Sequence, residues 1–289
     1  MKTIYLSHSE SFHYPSFSQV MALGFFDGVH LGHQCVIQTA IEKAREYNKK
    51  VSVMTFDVHP SVVLGRSNQR TSFITPLKEK EEAIRQLGVD FFYILEFDRN
   101  LAQLSPEDFV HDFLLKLGVD HVVAGFDYTY GHYGKGTMAT IRQHSRGKLR
   151  VTTVKKVEKQ KEKISSTLIR DLISNGYMAK VTSYLGRYYK TTAIIEQQII
   201  HFRSSRPRTY IIRNMHAYLL PNQGVYEVKI KVGKTWHRGL CRISNHSISS
   251  DPTLLIEFYD ERIKLNQNKI TIQWLYGIRE IRKLNVATN

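Results

Sequence analysis

His30 and His33 stand three residues apart, with glycines at 24, 28 and 32 around them. At that spacing two imidazoles on the first turn of a helix face one ligand, and together they can hold charge developing on a transferring phosphoryl oxygen. Glycines let the backbone approach a ligand closely, while the open N–H groups and positive dipole end of a helix start favour an anion. The chemistry indicated is phosphoryl or nucleotidyl transfer. A bare His-x-x-His is also compatible with a zinc site or with two ordinary surface residues.

A strand, a turn and a helix must position such a pair. Gln19 to Leu23 is a short apolar run, and Val36, Ile37, Ala40, Ile41 and Ala44 recur at helical spacing behind the histidines. Strand-like runs at 20–24, 51–56, 91–95, 121–125 and 150–154 alternate with helical stretches at 33–47, 76–87, 106–117 and 166–184. That rhythm predicts an α/β fold with a Rossmann-like, doubly wound parallel sheet over residues 1–186, whose ligands gather at the carboxyl ends of the strands. From residue 187 onward the helical rhythm is lost. Runs at 191–202, 208–213, 224–232, 237–243, 253–259 and 269–275 predict a small β-barrel domain over 187–289.

Composition excludes several classes. The chain has 289 residues, 42% apolar and 23% charged, and contains no apolar run long enough to span a bilayer. Nothing at the start resembles a signal peptide, and two cysteines, Cys35 and Cys241, are too few for a disulfide framework. A cytoplasmic protein without a membrane partner is expected. The net charge is +15, of which +10 falls on residues 187–289, with 17 Lys and Arg against 7 Asp and Glu. Such density suits phosphate-rich ligands, RNA or a solubilising surface.

Further segments fall at strand ends. Thr55-Phe56-Asp57-Val58-His59-Pro60 follows the second strand, where Phe56, His59 and Pro60 can wall an aromatic ring, although Pro60 would end a strand in any case. Lys78 and Lys80, in the next helical stretch, read as a solvated face. Gly125-Phe126-Asp127-Tyr128-Thr129-Tyr130-Gly131 follows the fourth strand. Asp127 is there either an Asx-turn residue or a carboxylate for a ring edge or Mg²⁺, and alternation lets one tyrosine flank a flat ligand while the other packs inward. The charge run Lys155 to Lys163 reads as a mobile, solvated loop. After it, Ser165-Ser166-Thr167 can cap a helix and bind phosphate, with Arg170 one turn on reaching the same oxygens.

The stretch Gly24-Phe25-Phe26-Asp27-Gly28-Val29-His30-Leu31-Gly32-His33-Gln34 resembles the His-x-Gly-His signature of the nucleotidyltransferase superfamily, in the form found in prokaryotic FAD synthetases. Thr55 to Pro60, Phe73 to Asp90, Gly125 to Gly131, Ile164 to Arg170 and Leu185-Gly186-Arg187-Tyr188-Tyr189 are similar to further elements of that family, so the resemblance covers nearly all of residues 15–189. It implies an FMN adenylyltransferase that uses ATP, FMN and Mg²⁺ and releases FAD. His30, His33 and Arg170 would be catalytic. Gly24, Phe25, Phe26, Asp27, Gly32, Ser166 and Thr167 would bind ATP, and Phe56, His59, Pro60, Asp127 and Tyr130 would bind the flavin.

The C-terminal part departs from that family. Leu219 to Val228 resembles a strand of its riboflavin kinase domain, yet Arg208 to Asn214 stands where a Phe-Pro-Thr-Ala-Asn phosphate and metal element is expected. Leu255 aligns with the glutamate base. The expectation is FAD synthesis without riboflavin kinase activity. The rivals are a bifunctional enzyme and a flavin-pathway regulator that binds RNA through His201, Arg203, Arg206 and Arg208.

Overall fold

The computed structural model describes residues 1–8, 15–65, 72–199, 208–244, 252–260, 263, 265 and 268–278. Two compact units emerge, one of Met1–Thr71 with Thr75–Ile164 and the other of Ser72–Ile74 with Ser165–Asn289. The division therefore falls ahead of the helices at 166–185, which the sequence pattern grouped with the first part of the chain.

The first unit is built on six parallel strands: β1 (Lys2–Leu6), β2 (Gln19–Leu23), β3 (Lys50–Phe56), β4 (Phe91–Leu95), β5 (Val119–Gly125) and, after the two-strand hairpin β6 (Thr129–Tyr130) and β7 (Gly136–Thr137), β8 (Arg150–Val154). Their order is β1-β4-β3-β2-β5-β8, so the winding direction reverses beside β2. A crevice at the carboxyl ends is the consequence of that switch. Helices cover the sheet: α1 (Leu31–Glu46), α2 (Pro60–Val63), α3 (Leu77–Gln86), α4 (Arg99–Gln103), α5 (Pro106–Val110) and α6 (Ile141–His144). Strand alternation supplies both cores. Val20 and Ala22 of β2 pack with Val36, Ile37, Ala40 and Ile41 of α1, while Met21 and Leu23 pack with Phe109 of α5 and Phe113 beyond it.

The parallel sheet expected from the sequence is present. The edge strand β1, in which Leu6 alone is buried, and the short helices α2 and α4 were not anticipated. The predicted helix over 106–117 starts as expected, capped by Ser105 with Pro106 at its first position, then widens into a π turn at His111–Leu115. The charge run is not simply a loop. It folds into the hairpin β9 (Glu158–Lys159) and β10 (Glu162–Lys163), turning through Gln160 and Lys161 at positive φ.

In the second unit the predicted helix over 166–184 is two, α7 (Ser166–Ser174) and α8 (Met178–Leu185). The break is at Gly176, whose φ is +77° and whose missing Cβ leaves room for the Tyr226 hydroxyl. Six antiparallel strands then close a barrel: β11 (Tyr189–Ile199), β12 (Thr209–Asn214), β13 (Gly224–Val232), β14 (Thr235–Ser244), β15 (Thr253–Phe258) and β16 (Lys269–Gly277), in the order β11-β12-β15-β14-β13-β16. Val228, Ile230, Cys241, Ile256, Ile272 and Trp274 fill it, and the Trp274 indole donates to Thr191 Oγ1 at 3.0 Å. Burial pushes the Cys241 thiol up, which keeps it protonated and inert. No described helix is long and apolar enough to cross a membrane.

Candidate active site

The loop from β2 into α1 is wound tightly by its own residues. Phe26, Gly28 and Val29 have φ of 54°, 92° and 39°, and two of these are side-chain-bearing residues in the left-handed region. A Cβ on Gly24 would lie 2.9 Å from the Phe26 ring, and one on Gly32 would lie 3.1 Å from the His30 ring. These two glycines thus make room for the loop's own rings, whereas the sequence suggested close approach of a ligand. Phe26 is 1% exposed and meets His33 edge to face, with ring centroids 5.3 Å apart. It acts as a packing residue behind the histidine.

His30 is the N-cap of α1, its Nδ1 accepting from the His33 backbone N–H at 3.2 Å. That bond keeps Nδ1 free of a proton, so a neutral His30 carries its proton on Nε2. The two imidazoles stack with centroids 3.5 Å apart and planes 16° from parallel. Asp27, also expected at the nucleotide, is 2% exposed and uses Oδ1 to accept from the Thr75 N–H at 3.0 Å. It ties the loop to the start of α3.

Lys80 overturns its solvated reading. It is 2% exposed, and its Nζ donates to the Phe25 carbonyl at 2.7 Å and to Thr55 Oγ1 at 3.2 Å, lying 4.2 Å from the Phe25 ring centroid. Burial lowers its pKa from 10.5 to about 8, against the opposing pull of Asp27 and Asp57. Its neighbours Glu79, Glu81 and Glu82 gave no sign of this, because the pattern around it is that of a charged outer face.

A pH-dependent stability follows. Below about 8 both folded and unfolded chains carry the Lys80 proton, and the buried charge is a fixed cost. Between about 8 and 10.5 the unfolded chain still binds the proton that the folded chain has lost, so stability rises with pH. Relative to Lys80→Met, the wild type should gain on the order of 3 kcal/mol across that window. Denaturant titrations of both proteins at several pH values measure the difference, and a flat difference would exclude a buried ammonium.

At the carboxyl ends of β3 and β4 opens a cavity of about 570 Å³, walled by Phe56, Pro60, Phe97, Arg99, Tyr130 and His132 among others. Its size and aromatic lining suit one flat heteroaromatic ligand. Of the five residues expected at the flavin, Phe56, Pro60 and Tyr130 lie on its wall, and His59 and Asp127 do not. His59 caps α2 through Nδ1, accepting from the Ser61 N–H at 3.2 Å. Asp127 is exposed, and its Oδ2 takes Lys163 Nζ at 2.7 Å. Tyr130 is 4% exposed and shares a 2.8 Å hydrogen bond with His144 Nδ1. Arg99 and His132, two of the polar groups of this wall, carried no sequence signal.

In the second unit Ser165 caps α7, accepting from the Leu168 N–H at 3.2 Å, which leaves Ser166 and Thr167 on the helix's first turn. Arg170 Nη2 donates to the Ser72 carbonyl at 2.8 Å. On the barrel, Leu255 is half-buried on β15, opposite Ile211 and Arg242, and Arg208 donates to the Ile263 carbonyl at 3.3 Å. His201, Arg203 and Arg206 lie outside the described residues.

The family model described as FAD synthetase matches residues 15–168. A bifunctional riboflavin kinase/FMN adenylyltransferase of Listeria monocytogenes is 39% identical over 99% of this chain and 92% of its own length. The protein of that description from Bacillus subtilis is 38% identical over the same shares. An FAD synthetase of Listeria monocytogenes is 30% identical over 72% of this chain and 80% of its own. In fold, the chain is similar to a crystal structure described as a macrolide-efflux protein from Streptococcus pneumoniae, with a TM-score of 0.86, 24% identity and coverage of 99% and 97% of the two chains.

Proposed function

The chain belongs to the FAD synthetase family and is an FMN adenylyltransferase carrying a riboflavin kinase-like barrel; from that premise we propose that adenylyl transfer is its only reaction. ATP and FMN are its substrates, and FAD and pyrophosphate its products. A phosphate oxygen of FMN attacks the α-phosphorus of ATP in line. The bond from that phosphorus to the oxygen bridging to the β-phosphate breaks, and its electron pair leaves with pyrophosphate, so no covalent enzyme intermediate forms.

The stacked histidine pair at the start of α1 carries this assignment of roles. His30, with its proton directed to Nε2, and His33 stabilise charge on the reacting phosphate. Lys80, Thr55 and Asp27 hold the loop from Gly24 that shapes the ATP pocket. Ser166, Thr167 and Arg170 hold the leaving pyrophosphate, by resemblance to the family's second phosphate motif. We therefore keep 1–186 as the functional extent of the transferase and 187–289 as that of the barrel.

No cluster of three or more His, Cys, Asp or Glu suited to a metal exists among the described residues. Asp27 and Asp127 are each engaged by a donor of the protein. Magnesium thus fits as part of the substrate, held chiefly by ATP phosphates, where it neutralises charge on the triphosphate. Two free cysteines, Cys35 and Cys241, suit a reducing compartment, the cytoplasm.

The bifunctional reading is favoured by what two relatives covering 99% of the chain are called, and the barrel's altered residues favour the monofunctional one. Chromatographic detection of FAD from purified protein, FMN, ATP and Mg²⁺ tests the transfer step. In the same assay Phe56→Ala should raise KM for FMN by about tenfold to a hundredfold and leave KM for ATP near the wild-type value, because it strips an aromatic wall from the cavity. An equal change in both constants would move the flavin elsewhere.

A further inference from the structure

We propose that the outer face of the barrel formed by β11, β16, β13 and β14 binds single-stranded nucleic acid. The four strands are neighbours, and their register lines up outward side chains in two rows. One row runs Lys190, Gln273, Lys229, Arg238, each opposite the next across a strand pair. The other runs Thr192, Thr271, Lys231, Trp236. Ile230, Val228 and Ile272 alternate with them and point into the core.

Among the described residues, only Arg238 of the cations in these two rows has a carboxylate partner. No described carboxylate pairs with Lys190, Lys229 or Lys231. Glu227, the acid among them, is already taken by Arg238 and by the Tyr276 hydroxyl. Lys190 is pressed towards losing its proton, first by burial and then by the like charges of Arg187 and Lys231. Like charges set side by side cost stability unless an anion comes to them.

Two exposed aromatic rings stand within the same lattice. Trp236 is 39% exposed and Tyr188 41%, with the ammonium of Lys231 over the first and that of Lys229 over the second, each 5.9 Å from the ring centroid. A ring that can stack a base beside a cation that can hold a phosphate is the pairing by which single strands are bound without reading sequence. Thr192, Thr271 and Gln273 add donors and acceptors for sugar and phosphate. A lipid surface would be met by the lysines, but it needs neither exposed ring faces nor the intervening hydroxyl and amide groups.

The test uses the full chain and a fluorescein-labelled oligouridylate, with anisotropy followed across a salt series. Binding should weaken steeply with salt, and the double variant Lys229→Ala/Lys231→Ala should lower the log–log slope by about 1.4, the loss of two phosphate contacts on a single strand. Trp236→Ala should weaken binding by about tenfold at constant salt without changing the slope. FAD synthesis should be unchanged in both variants, and circular dichroism and thermal unfolding matching the wild type's would show that the barrel is folded. Binding that ignores all three substitutions would overturn the proposal. So would capture by phosphatidylserine vesicles, dependent on the two lysines, when the oligouridylate does not bind.

Discussion

His33→Ala should cut turnover in FAD synthesis by about two to four orders of magnitude, equivalent to about 3 to 5 kcal/mol of transition-state stabilisation. The imidazole is braced on one side by the His30 ring at 3.5 Å and on another by the Phe26 ring, edge to face, at 5.3 Å, so it meets its ligand without further ordering. Preorganised groups are those whose loss is felt in kcat. The α1 cap is made by the His30 ring and the His33 backbone N–H, both of which survive the substitution, so the helix should stay folded. Arg170→Ala should produce a loss of the same order if the arginine meets the pyrophosphate. Rapid-quench measurement of FAD with saturating ATP and FMN separates chemistry from product release. Near-wild-type turnover in a folded variant would remove that residue from the assigned role.

Supplied with riboflavin, ATP and Mg²⁺, the protein should form no FMN, whereas FMN and ATP supplied to the same preparation should yield FAD. A kinase needs a base to take the proton of the attacking hydroxyl and a clamp for the metal-bound phosphates. Leu255 stands at the aligned position of the base, and its side chain has no group that can accept a proton. The next carboxylate on that strand, Glu257, lies 3.3 Å from Arg242 and is engaged there. The strand at Thr209–Asn214 pairs along its length with β11, and Thr209–Ile212 pairs with β15, and its sequence lacks the Phe-Pro-Thr-Ala-Asn residues. FMN appearing at a rate comparable to FAD in the control would establish a working second site and the bifunctional reading.

Much of the scaffold was legible because burial writes a period into the chain. The runs at 51–56 and 91–95 become β3 and β4 almost residue for residue, and the short alternating runs become the barrel. What stayed hidden depends on contacts distant in sequence. Nothing near Lys80 indicates that its ammonium is enclosed by Phe25 and Thr55, residues 55 and 25 positions away. Gly176 looks like a tolerated glycine in a helix until Tyr226 claims its space. The same holds at the site: spacing pointed to His30 and His33 as a pair, but their stacking and the Nδ1 cap are tertiary facts. Asp127 reads as a ligand residue by motif, and Lys163, brought to it by the β9–β10 hairpin, gives it another partner.

The closed barrel has a consequence for how such a chain changes over generations. Every strand of the ring is hydrogen-bonded on both sides, so no edge depends on an outer side chain for protection. Its interior, from Val228 and Ile230 to Ile272 and Trp274, is contributed by residues that alternate with the outer ones. Selection can therefore erase one chemistry from the outside and inscribe another while the inherited frame stays intact. Leu255 and Lys231 occupy outward positions of the same ring, the first where an old capability would have ended and the second where a new one can begin.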